Sequence, residues 1–179
     1  MSENMLTEAL SKGKFSVLEV ATDRAFPQDI VTIYTDHDAA FKIHRLEQKI
    51  ADTREGEAVN ALDEERNALK EKVKSSALTF HMRGISQGLM DDIQTKAKAD
   101  FGNEETPEKA TWVNSAYLAN HIISVTDAEG SIDDHKWTAE EVASLKRILP
   151  VESFQKLVEL MFELTFAARY FDEVVSADF

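Results

Sequence analysis

Apolar and polar positions alternate one by one in two short stretches of this chain, and elsewhere they follow the threes and fours of a helix. The first stretch is "DIVTIYTD", where Val31, Ile33 and Thr35 alternate with Thr32 and Tyr34. That period predicts a strand ending at Asp36. The second is "ALTFHMRG": Leu78, Phe80 and Met82 take one face, and Thr79, His81 and Arg83 take the other. A shorter apolar group, Phe15, Val17, Leu18 and Val20, predicts one more strand before the bend "RAFPQD". Pro27 supports the bend by forcing Phe26 into an extended conformation.

Between the two alternating stretches lies a charged helical segment. Ala39, Ile43, Leu46 and Ile50 are spaced by four, three and four residues, and the pattern resumes at Leu62, Leu69 and Val73. Two helices are expected, roughly 38–52 and 57–74, forming one long helix or a hairpin bent at Gly56. Glycine costs about 1 kcal/mol inside a helix and so does not decide between the two. One apolar residue per turn suits a projecting arm better than a buried core element. A hairpin would bring "VTIYT" and "ALTFHM" together as antiparallel neighbours, with the arm inserted between them. Asp36 or Asp38 is the expected cap of its first helix.

Further helices follow. "SQGLMDDIQTKAKADF" places Ile85, Leu89, Ile93 and Ala97 on one side. Pro107 suits a first helical turn, and "ATWVNSAYLANHIISV" reads as one buried helix. Thr138 and Glu141 have capping-box spacing. Pro150 opens the last helix, expected to run to about Val175. Its core stripe is Phe154, Leu157, Met161, Leu164, Ala168, Phe171 and Val175. A second line, Val158, Phe162, Phe166 and Tyr170, steps by four and winds toward the opposite, charged face. One apolar face suffices to dock a helix on its own domain. The second line therefore calls for another cover, either a neighbouring helix or a partner.

The expected fold is α+β and predominantly α-helical: a small antiparallel sheet, an inserted charged arm at about 38–74 and a C-terminal helical bundle. Residues 1–14 read as a flexible N-terminus and 15–179 as one domain.

Composition narrows the chemistry. The net charge is −13 over 179 residues, which disfavours phosphate backbones and anionic membranes. Cysteine is absent, which removes disulfides, thiolate metal sites and cysteine nucleophiles. Neither a signal peptide nor a membrane-spanning run is seen, so a cytoplasmic location is expected. His37, His44, His81, His121 and His135 form no HxH or HExxH spacing. "DAEGSIDD" resembles a calcium loop, but counted from Asp127 its glycine falls at position 4 and Thr138 at position 12, which breaks the EF-hand pattern. Phosphate-cradling and nucleophile-elbow motifs are missing. His81 and Arg83 form a cationic pair with no nucleophile in local register, so the wet side of a sheet is the expected reading. No catalytic residue, metal site or cofactor is predicted.

The order of four segments resembles the tail assembly chaperones of long-tailed bacteriophages, particularly those of actinobacterial phages. The segments are "RAFPQDIVTIYTD", "ALTFHMRGIS", "DAEG" after an apolar helix, and "LPVESFQKLVELMFELTFAARYFDEVVSADF". The likeness spans roughly residues 15–179. It implies a non-enzymatic protein that holds the helical tape measure protein during tail tube assembly in the host cytoplasm and is absent from the finished virion. It also implies a longer product of ribosomal frameshifting near the C-terminus and leaves room for a homo-oligomer. On this reading the partner-binding candidates are Val158, Phe162, Phe166 and Tyr170, with the arm seam Ile43, Leu46, Ile50, Leu62, Leu69 and Val73. The alternative is a structural virion component, such as a tail or head-tail connector subunit. An enzyme using the His81/Arg83 face is the third reading.

Overall fold

The computed structural model describes residues 26–53 and 56–166. The expected strand at 15–20, the flexible N-terminus, Tyr170 and the helix beyond Phe166 lie outside them. Strand β1 is Gln28–Tyr34. Helix α1, His37–Asp52, starts where Asp36 accepts the Ala39 backbone N–H at 2.9 Å. Helix α2, Glu57–Ser75, begins after Gly56, whose φ of 148° favours glycine. Strand β2, Ala77–Arg83, then pairs antiparallel with β1, from Gln28 opposite Arg83 to Tyr34 opposite Ala77. That register requires the two ends of the arm to meet, so the arm is a hairpin rather than one long helix.

The arm's seam is used inside the hairpin. Leu46 is buried, while Ile43, Ile50, Leu62, Leu69 and Val73 are half-buried. Engaging this seam with another arm or a client would require the two helices to part.

Helix α3, Gln87–Phe101, is capped by Ser86, and α4, Pro107–His121, is capped by Thr106 with proline in its first turn. The single helix expected over "ATWVNSAYLANHIISV" is corrected here. It stops at His121, and Ile122–Asp127 forms strand β3. Ile122, Ile123, Val125 and Thr126 are β-branched and favour a pleated surface. Because the apolar residues of the preceding helix form no single stripe, no change of period marks the junction.

Strand β4, Ile132–Asp133, completes a four-stranded antiparallel sheet in the order β1-β2-β3-β4, twice the two strands expected among the described residues. The β3–β4 turn is closed by Asp127, which accepts the backbone N–H groups of Glu129 and Ser131 at 2.9 and 2.8 Å. Helix α5, Ala139–Ile148, carries the expected Thr138/Glu141 capping box. Helix α6, Val151–Phe166, follows Pro150.

The fold is thus α+β and predominantly helical, with α4, α5 and α6 covering one face of the sheet. Ile33, Phe80, Met82 and Val125 point into the main core from the sheet. Leu118, Val142, Leu145, Leu157, Met161 and Leu164 meet them from the helices. Ile93, Ala97, Val113, Ala116 and Ala139 form a second cluster where α3, α4 and α5 converge. Leu160, absent from the expected stripe of α6, is also buried.

Candidate partner-binding surface

Helix α6 is buried on one side by Leu157, Leu160, Met161 and Leu164. At about 100° per residue, Phe162 and Phe166 emerge beside that stripe. Each keeps 52% of its surface exposed. Their rings stack one turn apart, with centroids separated by 6.3 Å and planes within 5° of parallel. Val158, one turn earlier, is half-buried and packs against the main core. Three members of the expected line therefore share one surface, and Tyr170 lies outside the described residues.

Phe162 stands between two hollows in the seam of α4 and α6. One, of about 280 Å³, is lined by Thr111, Asn114 and Leu118 of α4, Lys146 of α5, and Phe154 and Val158 of α6. The other, of about 110 Å³, is lined by Ile85, Met90, Tyr117, His121, Thr165 and Phe166. Asn114, Met161 and Phe162 border both, so the two lie side by side along the α4/α6 seam, together termed the trough. Between Phe154 and Phe166 it runs for roughly 18 Å at the helical rise, about three turns. Glu159 and Glu163 stand exposed on the outer side of α6.

The wall from α4 was not visible in the sequence. Thr111 and Asn114 are exposed polar residues of α4, three apart and on one face. That spacing is the only local signal. His121 lies at the inner end of the second hollow and is buried. Its Nδ1–H donates to the Tyr117 carbonyl at 2.7 Å, and Nε2 sits 3.0 Å from Thr165 Oγ1. Burial pushes the imidazole below its usual range, against the opposing effect of the Tyr117 hydrogen bond. This end of the trough is therefore neutral and apolar in character.

The other candidates serve local structure. His81 is half-buried rather than fully in water, with Nε2 3.2 Å from Thr126 Oγ1 across the sheet, while Arg83 is exposed. The neighbouring Thr32 and Thr79 hydroxyls bond at 2.9 Å. Asp36 caps α1, and His44 lies 3.1 Å from Gln48. Asp127 spends its carboxylate on the turn; those bonds, led by the Ser131 N–H, hold it below the usual carboxylate range. Among the described residues no group of three His, Asp or Glu side chains is placed to hold a metal ion.

A cluster that sequence reasoning missed joins β4 to α5. His135 Nδ1 is 2.6 Å from Asp133, and its Nε2 is 3.3 Å from Glu141. Its ring stacks on Trp137, which in turn packs against Phe80. The hydrogen bond to Asp133 is the main cause that raises the imidazole above its usual value.

Comparison with known proteins leaves the family open. No family model matches the chain. Over 115 residues, covering 54% of this chain, it is 30% identical to the extracellular matrix-binding protein ebh of Staphylococcus aureus strain MW2. The match spans about 1% of that relative's length. No solved structure matches. No helix of the described residues is long and apolar enough to cross a membrane.

Proposed function

We propose that this chain is a non-enzymatic binding protein, a phage tail assembly chaperone that holds the tape measure protein through the α4/α6 trough. The observation that carries the reading is the stacked pair Phe162 and Phe166, half exposed beside the two hollows of the α4/α6 seam. Large apolar side chains left in water beside a preformed hollow offer surface that the apolar face of an amphipathic helix can cover. A tape measure protein, long, helical and apolar, presents such a helix many times over. The charge of −13 supports the same reading, because like charge keeps a chaperone and its loaded client dispersed. The segment order shared with tail assembly chaperones supports the choice of client.

The test is co-expression with the tape measure protein encoded in the same genome. Wild type is expected to recover it in the soluble fraction and co-purify with it. The double substitution Phe162→Asp/Phe166→Asp should abolish co-purification while leaving the circular dichroism spectrum unchanged. Undiminished recovery by that folded variant would place the client elsewhere. Mass spectrometry of purified particles should find no stoichiometric copy of the chain. Finding one would favour a structural virion component.

A further inference from the structure

The outer edge of β1 has no strand partner among the described residues. The Gly84 N–H donates to the Pro27 carbonyl at 2.9 Å, and the Thr35 N–H donates to the Ser76 carbonyl at 3.2 Å. Odd-numbered residues of this strand therefore turn their backbone groups toward β2. In an antiparallel ladder both groups of a residue point the same way, and neighbours alternate. Ile30, Thr32 and Tyr34 consequently direct N–H and C=O away from β2. The Ile30 N–H confirms this direction: it is taken by the side chain of its neighbour Asp29 at 2.7 Å. Among the described residues β1 has one strand partner, β2.

Edges of this kind are usually blunted by lysine, proline, a bulge or short length. This one has seven residues, a single charge at Asp29, and neither lysine nor proline. Its bulge-free pairing with β2 leaves it straight. In a chain of net charge −13 it is a nearly neutral strip.

We propose that β1 pairs antiparallel with β1 of a second copy about a two-fold axis at Thr32. Outward backbone groups face each other only when even positions meet even positions. The axis at Thr32 sets Thr32 against its own copy and Ile30 against Tyr34 of the other chain. Ile30 and Tyr34 are the large apolar side chains exposed on β1, at 57% and 44%. This register covers both at once, in two symmetric pairs of the aliphatic–aromatic kind that stabilises sheets. The axis also sets Asp29 against Thr35 rather than against its own copy, so no like charges meet across the seam. The result is one continuous eight-stranded sheet, with the arms leaving from the two chains separately. The trough on α6 is not part of this contact, so the proposal is independent of the chaperone reading.

Because the chain has no cysteine, single introduced thiols report the register directly. Hydrogen-bonded partners in an antiparallel pair lie about 5.5 Å apart between Cα atoms, within disulfide reach. Full-length Thr32→Cys should therefore form a disulfide dimer on mild oxidation. Ile30→Cys alone should not, because its own copy lies about four residues away along the strand. Mixed with Tyr34→Cys, it should cross-link. Light scattering of the unmodified chain should show mass rising from one chain to two with concentration, and more readily with added salt, which screens the acidic surfaces. Thr32→Pro removes an outward N–H while leaving the backbone bonds of the β1–β2 ladder in place, at the loss of the Thr32–Thr79 hydroxyl bond, and should stay monomeric. If that variant fails to fold, Ile30→Lys is the replacement.

A chain that remains monomeric at all concentrations overturns the proposal. So does equal cross-linking of Thr32→Cys and Ile30→Cys. A monomeric Thr32→Cys whose thiol resists alkylation would assign the edge to residues preceding Phe26 instead, and would overturn it as well.

Discussion

Gly84 closes the "ALTFHMRG" stretch at a point where three segments meet. A Cβ there would lie 3.0 Å from the Leu164 carbonyl oxygen and 3.3 Å from Pro27 Cδ. The first of these is backbone of α6, which cannot swing aside as a side chain can. Gly84→Ala should cost about 1–3 kcal/mol, and for a chain of this size lower Tm by several degrees. The displacement falls on the turn of α6 that carries Phe162 and Phe166. Side chains along that helix should divide sharply. Leu157 is fully buried, so Leu157→Ala should destabilise by about 2–5 kcal/mol. Phe162→Asp should cost about 1 kcal/mol or less, because half of the ring already faces water. Chemical denaturation of both variants checks the contrast; equal losses would mean that Phe162 belongs to the core. The glycine's constraint could not be read from the sequence, since both crowding atoms come from distant parts of the chain.

At the scale of elements, pH acts through the clamp between β4 and α5. His135 is raised above its ordinary value of 6.5, first by its bond to Asp133. Its contribution to stability is complete below that ordinary value and fades as pH rises through the higher folded one. Asp133 is lowered, first by its hydrogen bond from the His135 side chain, and Glu141 is lowered, first by the Thr138 backbone N–H. Their contributions are present above the ordinary carboxylate values and are lost as pH falls through the lower folded ones. Tm should therefore decline between about pH 6 and pH 8 more steeply in wild type than in His135→Ala. Parallel melting curves for the two proteins would remove the clamp's role. The elements themselves were largely legible. The two arm helices, α3, the Pro107 start, the capping box and the core face of "ALTFHM" all follow from period and cap chemistry. Strand β3 was not legible, because no turn residue or change of period separates it from the helix; its β-branched run is a weak local signal, and its pairing with β2 decides the matter. The His135 clamp was missed for the same reason: His135 and Glu141 are brought together by a turn, not by a motif.

For the molecule as a whole, half of the candidate surface was visible in advance. The surplus apolar line on the last helix announced Phe162 and Phe166, since a helix needs one buried face and this one carries more. The trough that gives those rings a shape to recognise is made by Thr111, Asn114 and Tyr117 opposite. Their partnership with α6 spans some forty or more positions of sequence and has no local signature. The arm joins residues of β1 and β2 that lie side by side at Tyr34 and Ala77. The two strands of one ladder must therefore find each other across an interruption of about forty residues, where a tight hairpin would need two. Pairings distant along the chain slow the search for the native state. Closing a longer loop also adds about 0.6 kcal/mol of entropic cost for each doubling of its length. Replacing residues 36–75 with Asn-Gly should accelerate refolding by roughly tenfold or more in stopped-flow fluorescence, reported by Trp137 against Phe80. An unchanged rate would mean that the arm zips first and delivers the strands to each other, making the interruption the nucleus of folding rather than its obstacle.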